Sequence, residues 1–551
     1  MLYSSYVVQS IVIRSIQKMK KPNKPNIFTL SRIFHQQNKS PLAFILLFSV
    51  ILNISMIIIT RTLGNVFDEH TFTENISDTI VSFLVAIGFG LLWLCAHLLT
   101  GKYLGIYQYS GLKNLVKFAV QKKLQLDNFF FIKNPAVDTW TKTNMSTQMV
   151  SSFFEGLVSS FIGLISFLVY AYIVFLISPV AGLITLLTVP IFMFSTLWAG
   201  KFSLLYQSGI MSGMQRLSVL AIEFITSILN IKVKNRQTFF TGKMFEVYDG
   251  IISNFKKNKI LEHYFHGIQN ILNIFIPLIV IITTVLISEH MMSVSQLLLL
   301  YINIPLLLRA FNSLYSAVLD FFRNRVAINN LIEFYSLPEE KHGSIAIATF
   351  ESLTTRNISV NFDTGDTVSI PDVCLKKGEK VLLSGPSGSG KSTFFSILIG
   401  AIKDYEGEVF INDHNLKEIY MPSVWSMFGI TFQSGNLFSL SLEDNVMGGT
   451  SLTNFDDVID ICKLTDLYMA KKETSLNKNI VSGGELSRIS LAQTISNHFE
   501  VLLLDETFSG IDESTESEIM DKVISAHENK TIICISHRDS INKYFDKIIN
   551  F

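Results

Sequence analysis

Charge is scarce in this sequence. Only 16% of its 551 residues are Asp, Glu, Lys or Arg, against about a quarter in ordinary soluble chains. With 49% hydrophobic residues, that scarcity excludes a wholly water-soluble protein and a disordered one. Cysteine is scarcer still. Cys95, Cys374, Cys462 and Cys534 are the full set, which excludes a disulfide scaffold. A net charge is lacking too, because 45 basic residues balance 45 acidic ones. The zero hides a split: residues 1–340 hold 27 Lys/Arg and 16 Asp/Glu, and the remainder holds 18 and 29. Two regions in different solvents are the simplest reading. No small-residue cleavage pattern follows the first apolar run, which begins near residue 41, so residues 1–40 read as a cytoplasmic lead-in and not as a signal peptide. Its first residues, MLYSSYVVQSIVI, either lie along the membrane surface or fray.

A helix crosses about 30 Å of hydrocarbon with roughly 20 apolar residues. Six stretches qualify, at about 41–60, 79–100, 156–177, 180–200, 268–288 and 294–315. Ser178 and Pro179 alone separate the third from the fourth, which predicts a tight helical hairpin. Residues 1–40 carry seven basic residues and no acid, 101–150 carry seven and two, and 201–265 carry nine and four. The loop after the first span has one Arg and four acids. Positive residues stay inside, so the basic segments and both chain ends are expected in the cytoplasm, in a multi-pass protein of the cytoplasmic (inner) membrane. The two inside connections are long and carry apolar residues at helical spacing, with few Pro or Gly. They are expected to be helical extensions of the spans.

The acidic remainder holds a nucleotide-binding pattern. Residues 381–399 read VLLSGPSGSGKSTFFSILI, an apolar strand, then Gly385, Pro386, Ser387, Gly388, Ser389, Gly390, Lys391 and Ser392, then a helix-like run beginning with Thr393. This is a phosphate-binding loop in its required strand–turn–helix setting. Glycines let backbone N–H groups face the phosphates, and the helix N-terminus favours negative charge. Lys391 is expected on the β- and γ-phosphates of ATP and the Ser392 hydroxyl on Mg²⁺. A second apolar strand, VLLLDE (501–506), ends in Asp505, suited to Mg²⁺, and Glu506, suited to polarising an attacking water.

With those residues in view, 345–551 resembles the nucleotide-binding domain of an ATP-binding cassette transporter. Val481, Ser482, Gly483, Gly484 and Glu485 are similar to the family signature LSGGQ, which in that family closes over ATP held by the other domain. Gln433 matches the glutamine that senses the γ-phosphate and contacts the metal. Ser509, Gly510, Ile511 and Asp512 match the D-loop, and His537 the switch histidine. Phe362 stands where the family stacks an aromatic on adenine. Six spans with long second and fourth cytoplasmic connections, then one cassette, resemble a half-transporter of the exporter type. The resemblance implies an α-helical six-span transmembrane domain (41–335) followed by an α/β P-loop nucleotide-binding domain (345–551). It also implies coupling tips at Phe129–Trp140 and Ile225–Gln237, and a dimer, homodimeric or with a second half-transporter, because each ATP site needs two subunits.

Departures from the pattern are Val481 for Leu, Glu485 for Gln, a pre-signature segment TSLNKNIVSGGE without the common Gly-Glu-x-Gly, Gln493 for Arg, and a chain that stops at Phe551 in what reads as the last strand. None removes an atom needed for hydrolysis.

Ionisable groups in the spans are few. They are His97, Glu155 and Arg309, each a candidate cargo contact and each near enough to an interface to reach water instead. Asn53, Asn270, Asn273 and Asn303 are possible donors, and Pro190, Pro277 and Pro305 possible kink sites. The expected activity is ATP-driven export by alternating access, with a peptide cargo similar to those of antibacterial-peptide exporters. Lacking a peptidase segment before the spans, the chain is expected to take such a peptide already processed. Lipid or multidrug export is the alternative, and an ATP-gated sensor that does not pump is a further one. No nucleic-acid partner is expected.

Overall fold

The computed structural model describes residues 25–36, 38–67, 76–127, 130, 136–287, 292–362, 367–432, 435–449, 454–472, 474–477 and 480–551. The chain divides into two compact units between Glu339 and Glu340.

The first unit is helical: α1 (Ile27–His35), α2 (Lys39–Val66), α3 (Ile76–Leu124), α4 (Ala136–Ile177), α5 (Pro179–Thr226), α6 (Ile228–Val233), α7 (Gln237–Ile287) and α8 (Val294–Ser336). Six of these are long, and they contain the six apolar stretches. Among the described residues, five carry an apolar window long enough to cross a bilayer, while in α5 the described apolar stretch runs Pro179–Ile191. At 1.5 Å per residue, the 49 residues of α3 reach about 74 Å. That is more than twice the hydrocarbon thickness. The spans therefore continue as helices well past the membrane, as the spacing predicts.

Local chemistry fixes where these helices start. Ser178 caps α5 by accepting from the Ala181 amide, and Pro179 occupies the first turn, where its missing N–H costs nothing. The tight hairpin, with Ser178 alone between the two helices, follows from that pair. Ser293 and Gln296 form a reciprocal capping box at the head of α8. Pro190, Pro277 and Pro305 lie inside α5, α7 and α8.

Close approach between helices uses small residues, as expected where lipid removes the hydrophobic drive. α4 lies on α8 through Gly156, Ser160 and Gly163. A Cβ on Gly163 would meet Ser313 Cβ at 2.9 Å and the Ala310 carbonyl oxygen at 3.1 Å. Ser160 donates to the Ser313 carbonyl at 2.8 Å. α1 docks through Phe34, which is fully buried against Gly111 and edge-on to Tyr107. On α3 the apolar residues Ile80, Leu84, Leu91 and Leu98 are exposed. Such a stripe suits a hydrocarbon solvent.

The second unit is α/β. In chain order it contains β1 (Ser352–Asn361), β2 (Thr367–Ile370), β3 (Cys374–Lys376), β4 (Lys380–Ser384), α9 (Lys391–Leu398), β5 (Glu406–Ile411), β6 (His414–Asn415), α10 (Met421–Trp425), β7 (Phe428–Thr431), α11 (Leu442–Met447), α12 (Phe455–Ile461), α13 (Thr465–Lys471), α14 (Gly483–Ile495), β8 (Val501–Asp505), α15 (Glu513–Ala526), β9 (Thr531–Ile535) and β10 (Lys547–Asn550). One sheet, ordered β2-β1-β5-β6 with β3 also on β1, is antiparallel. The other, β10-β4-β9-β8-β7, is parallel. β8 and β9 are buried along their whole length, which explains their unbroken apolar sequence: helices cover both faces of a parallel sheet. The carboxyl ends of β4, β8 and β9 lie side by side in register, Leu383 beside Ile535 and Ile535 beside Asp505. That edge is where the P-loop, Glu506 and His537 emerge, and it is the usual ligand edge of an open α/β sheet.

Candidate ATP site

The P-loop joins β4 to α9. Gly385, Gly388 and Gly390 adopt φ of +152°, +86° and +100°, a region that disfavours any side chain. At Gly390 space forbids one as well, since a Cβ would stand 2.6 Å from Val368 Cγ1. Ser387 and Ser389 sit between these glycines. Lys391 folds back over the loop, donating to the carbonyls of Gly385 and Pro386, each at 2.8 Å, and to Ser389 Oγ at 3.3 Å. Burial draws its ammonium below the ordinary lysine value, against the opposing pull of Glu506 and Asp505. The lysine is thus held by weak neutral acceptors that phosphate oxygens can replace. Thr393 follows in the first turn of α9.

Ser392 donates its hydroxyl to Asp505 Oδ1 at 3.2 Å. Burial raises the Asp505 carboxyl above its ordinary value; the Ser392 bond lowers it, Glu506 raises it and Lys391 lowers it, in that order of size. A hydroxyl and a carboxylate this close form the oxygen donor pair that Mg²⁺ takes together with phosphate oxygens. The residues therefore fit a nucleotide-bound Mg²⁺, which would neutralise phosphate charge there.

Glu506, one residue beyond β8, has φ +45°, a strained conformation for a non-glycine residue. Its amide donates to the Ile535 carbonyl at 3.1 Å. That bond ties the turn to the end of β9, and His537 leaves β9 two residues later. The His537 Nε2 lies 3.3 Å from Glu506 Oε1. The two candidate catalytic residues therefore arrive from adjacent parallel strands and meet.

At the signature, Ser482 caps α14. Its Oγ accepts from the Glu485 amide at 3.2 Å, and Glu485 returns the contact by accepting from the Ser482 amide at 2.7 Å. Glu485, where the family pattern has Gln, thus completes a capping box and places a carboxylate at a helix N-terminus. The backbone bond from Ser482 is the main reason its carboxyl lies below the ordinary value. Ser482 and Gly483 are exposed, and nothing lies within 4 Å of a Cβ placed on Gly483. Gly484 packs on the D-loop, where a Cβ would meet the Gly510 carbonyl oxygen at 2.8 Å. Asp512 caps α15 by accepting from the Thr515 amide at 2.9 Å and from Ser514 Oγ at 2.5 Å. The Ser514 bond is the leading cause of its carboxyl lying far below the usual range.

Phe362 follows β1 with its ring partly exposed. Gln433 and six of the twelve residues of Phe129–Trp140 lie outside the described residues, and residues 136–140 form the start of α4. The second expected tip contains α6, a separate six-residue helix between Ser227 and Lys234 with Leu229 and Val233 exposed. In the membrane unit, His97 is exposed and stacked on Trp93, Glu155 is half-buried, and Arg309 is exposed on α8. Sequence reasoning missed two residues at the site. Arg538, directly after His537, donates to Glu516 and to the D-loop carbonyls of Ser509 and Ile511. A basic residue beside the switch histidine and an acid four residues past Asp512 were the available signals.

Residues 368–509 match the family described as ABC transporter, and residues 42–311 match the ABC transporter transmembrane region. The chain is 29% identical to a subtilin transport ATP-binding protein of Bacillus subtilis, over 43% of this chain and 42% of that one. It is 25% identical to a lacticin-481/lactococcin-DR transport/processing ATP-binding protein of Lactococcus lactis subsp. lactis, over 99% of this chain and 78% of that one. An ATP-dependent lipid A-core flippase of Francisella tularensis is 30% identical over 42% of each chain. The matches thus span under half of the subtilin and flippase relatives. The structure of a bacterial Atm1-family ABC exporter superposes with a TM-score of 0.81 over 93% of both chains at 15% identity, a likeness of fold. The two family matches, the exporter fold and the assembled P-loop edge lead to one conclusion: the chain is an ABC transporter, a multi-pass membrane protein of the exporter fold carrying a cytoplasmic ATP-binding domain.

Proposed function

We propose that the chain exports a peptide across the cytoplasmic membrane, driven by ATP hydrolysis and working as a dimer. The observation that carries the cargo assignment is the alignment over 99% of the chain, membrane half included, with a lacticin transport and processing protein. The relative named for a lipid aligns over 42% of the chain, and lipid export is the second reading that this match supports.

In the proposed cycle, the amides of Gly388–Ser392 and the Lys391 ammonium take the phosphates, and Lys391 gives up its bonds to Gly385 and Pro386. Ser392 and Asp505, with Gln433, would hold Mg²⁺, which would neutralise phosphate charge there, and Phe362 stacks on the base. Glu506 polarises the attacking water and His537 positions the γ-phosphate, two roles that suit side chains 3.3 Å apart. Ser482, Gly483 and Gly484, at the exposed head of α14, bind the ATP of the second subunit, since helix N-termini attract phosphate. Asp512 fixes the loop facing that subunit. Closure of the two cassettes on ATP turns the cavity outward, and hydrolysis resets it.

The test is ATP turnover by the protein in lipid nanodiscs, beside Glu506→Gln, across processed cyclic peptides, linear peptides, lipids and dyes. The proposal expects Glu506-dependent turnover that a peptide class stimulates. Stimulation by lipids alone would transfer the assignment to the second reading, and absence of Glu506-dependent turnover would overturn it.

A further inference from the structure

His537 and the signature belong to different elements, yet the fold joins them through one side chain. The Arg538 Nη1 donates to the Ile511 carbonyl and to Glu516 Oε2, both at 2.7 Å, and its Nη2 donates to the Ser509 carbonyl at 3.4 Å. The Arg538 amide bonds Ser536 Oγ at 3.1 Å, so the same residue is fixed to the turn that carries His537. Glu516 lies on the inner face of α15 with its side chain wholly buried. Its amide donates to the Asp512 carbonyl. Beyond the D-loop, the carbonyl of Gly510 presses on Gly484, where even one added carbon would stand 2.8 Å away. The contacts run without a gap from His537 through Arg538 and Ser509–Asp512 to the head of α14.

A guanidinium is suited to this position because its planar fork reaches two carbonyls and one carboxylate oxygen, Glu516 Oε2, at once. Glu516 has no exposed surface and no other cation bonded to it among the described residues, and a buried carboxylate is tolerated when paired. The pair therefore ties the D-loop to the switch turn, on the same side as the contact of Gly510 with Gly484.

We propose that Arg538, anchored by Glu516, is a positioning residue that couples the γ-phosphate side of one ATP site to the signature offered to the other. The inference rests on the reading of the chain as a dimeric ATPase. It goes further by naming the side chain that makes the two sites respond together.

The full-length protein in nanodiscs provides the test. Arg538→Lys keeps a charge for Glu516 without the fork, and Glu516→Leu/Arg538→Met removes both charges so that no buried carboxylate is left alone. For both variants the expected result is an unchanged melting temperature, ATP KM within about twofold, and kcat lower by about 10- to 100-fold, the scale of a misplaced catalytic group. The Hill coefficient for ATP should fall from about 2 toward 1, two being the number of sites. A merely structural brace would lower the melting temperature and leave kcat and cooperativity of the folded protein intact. Wild-type kcat and cooperativity in the double variant overturn the proposal. A second readout needs no turnover: in Glu506→Gln protein, adding ATP and Mg²⁺ should slow amide exchange at Ser509–Asp512, and the double substitution should abolish that slowing. If wild-type protein shows no Glu506-dependent turnover while this slowing is present and lost as described, the ATPase reading fails and the coupling stands. Persistence of the slowing in the double variant overturns the coupling.

Discussion

Glu506 combines two conflicting properties. It takes a left-handed backbone conformation that costs about 1–3 kcal/mol for a non-glycine residue, and it directly follows β8, a strand buried along its whole length. Such strain persists where the surroundings fix it, here the Ile535 carbonyl and the His537 ring. Replacing Glu506 by Gln keeps the shape and removes the base. The expected outcome is a fall in kcat of about 10²- to 10⁴-fold with ATP binding retained, measured by steady-state turnover and nucleotide titration on one preparation. A variant that neither binds nor hydrolyses ATP would place Glu506 in the fold and not in the chemistry. Gly390 makes the complementary case. Its φ of +100° and the 2.6 Å approach to Val368 leave no place for a methyl group, so Gly390→Ala should lower stability by about 1–3 kcal/mol and weaken nucleotide binding. Chemical denaturation with and without ATP checks both.

At the scale of elements, the head of α14 is expected to respond to pH. The Glu485 carboxyl is depressed because it accepts the Ser482 amide. A depressed carboxyl contributes stability that is present above its unfolded pKa and is lost as pH falls through the lowered folded value. Amide exchange at Ser482–Glu485, corrected for its intrinsic pH dependence, should therefore rise on acidification below the ordinary carboxylate range. In Glu485→Gln the capping box survives without the titration, and exchange there should stay level. Equal behaviour of the two proteins would contradict the account. The α4–α8 contact obeys different physics. A Cβ on Gly163 would meet Ser313 Cβ at 2.9 Å and the Ala310 carbonyl oxygen at 3.1 Å, so Gly163→Val overpacks this helix pair. A loss of about 1–3 kcal/mol is expected, seen as a lower melting temperature in detergent; an unchanged one would mean that the helices separate freely there.

How much was legible in the sequence also depends on scale. The six spans, the Ser178–Pro179 hairpin and the P-loop are local patterns, carried by apolar length, a capping pair and glycine spacing, so the chain announces them. The meeting of Glu506 with His537 was half legible: each stands at a strand end, but only the β8–β9 register brings them within 3.3 Å. Arg538 and Glu516 were not legible. Each has a marked place in sequence, Arg538 beside His537 and Glu516 four residues past Asp512, but nothing there pairs them: their bond exists because α15 turns Glu516 inward beneath the switch turn. The docking of Phe34 on Gly111 was hidden for the same reason, since a short apolar run beside a long span has no periodicity that reveals its partner. Long-range contacts of single side chains are set by topology, and one sequence records only their ends.

For the whole molecule, the proposed function is ATP-driven peptide export with two ATP sites that depend on each other. Its most direct test is transport. Inside-out vesicles containing the full-length protein, given ATP and Mg²⁺, should accumulate a labelled, processed cyclic peptide of the lantibiotic kind. Accumulation should cease with Glu506→Gln and fall by well over half when that variant is mixed equally into the dimers, because one disabled site then stops both. Accumulation unaffected by Glu506→Gln, or seen with lipid and with no peptide, would contradict the central claim.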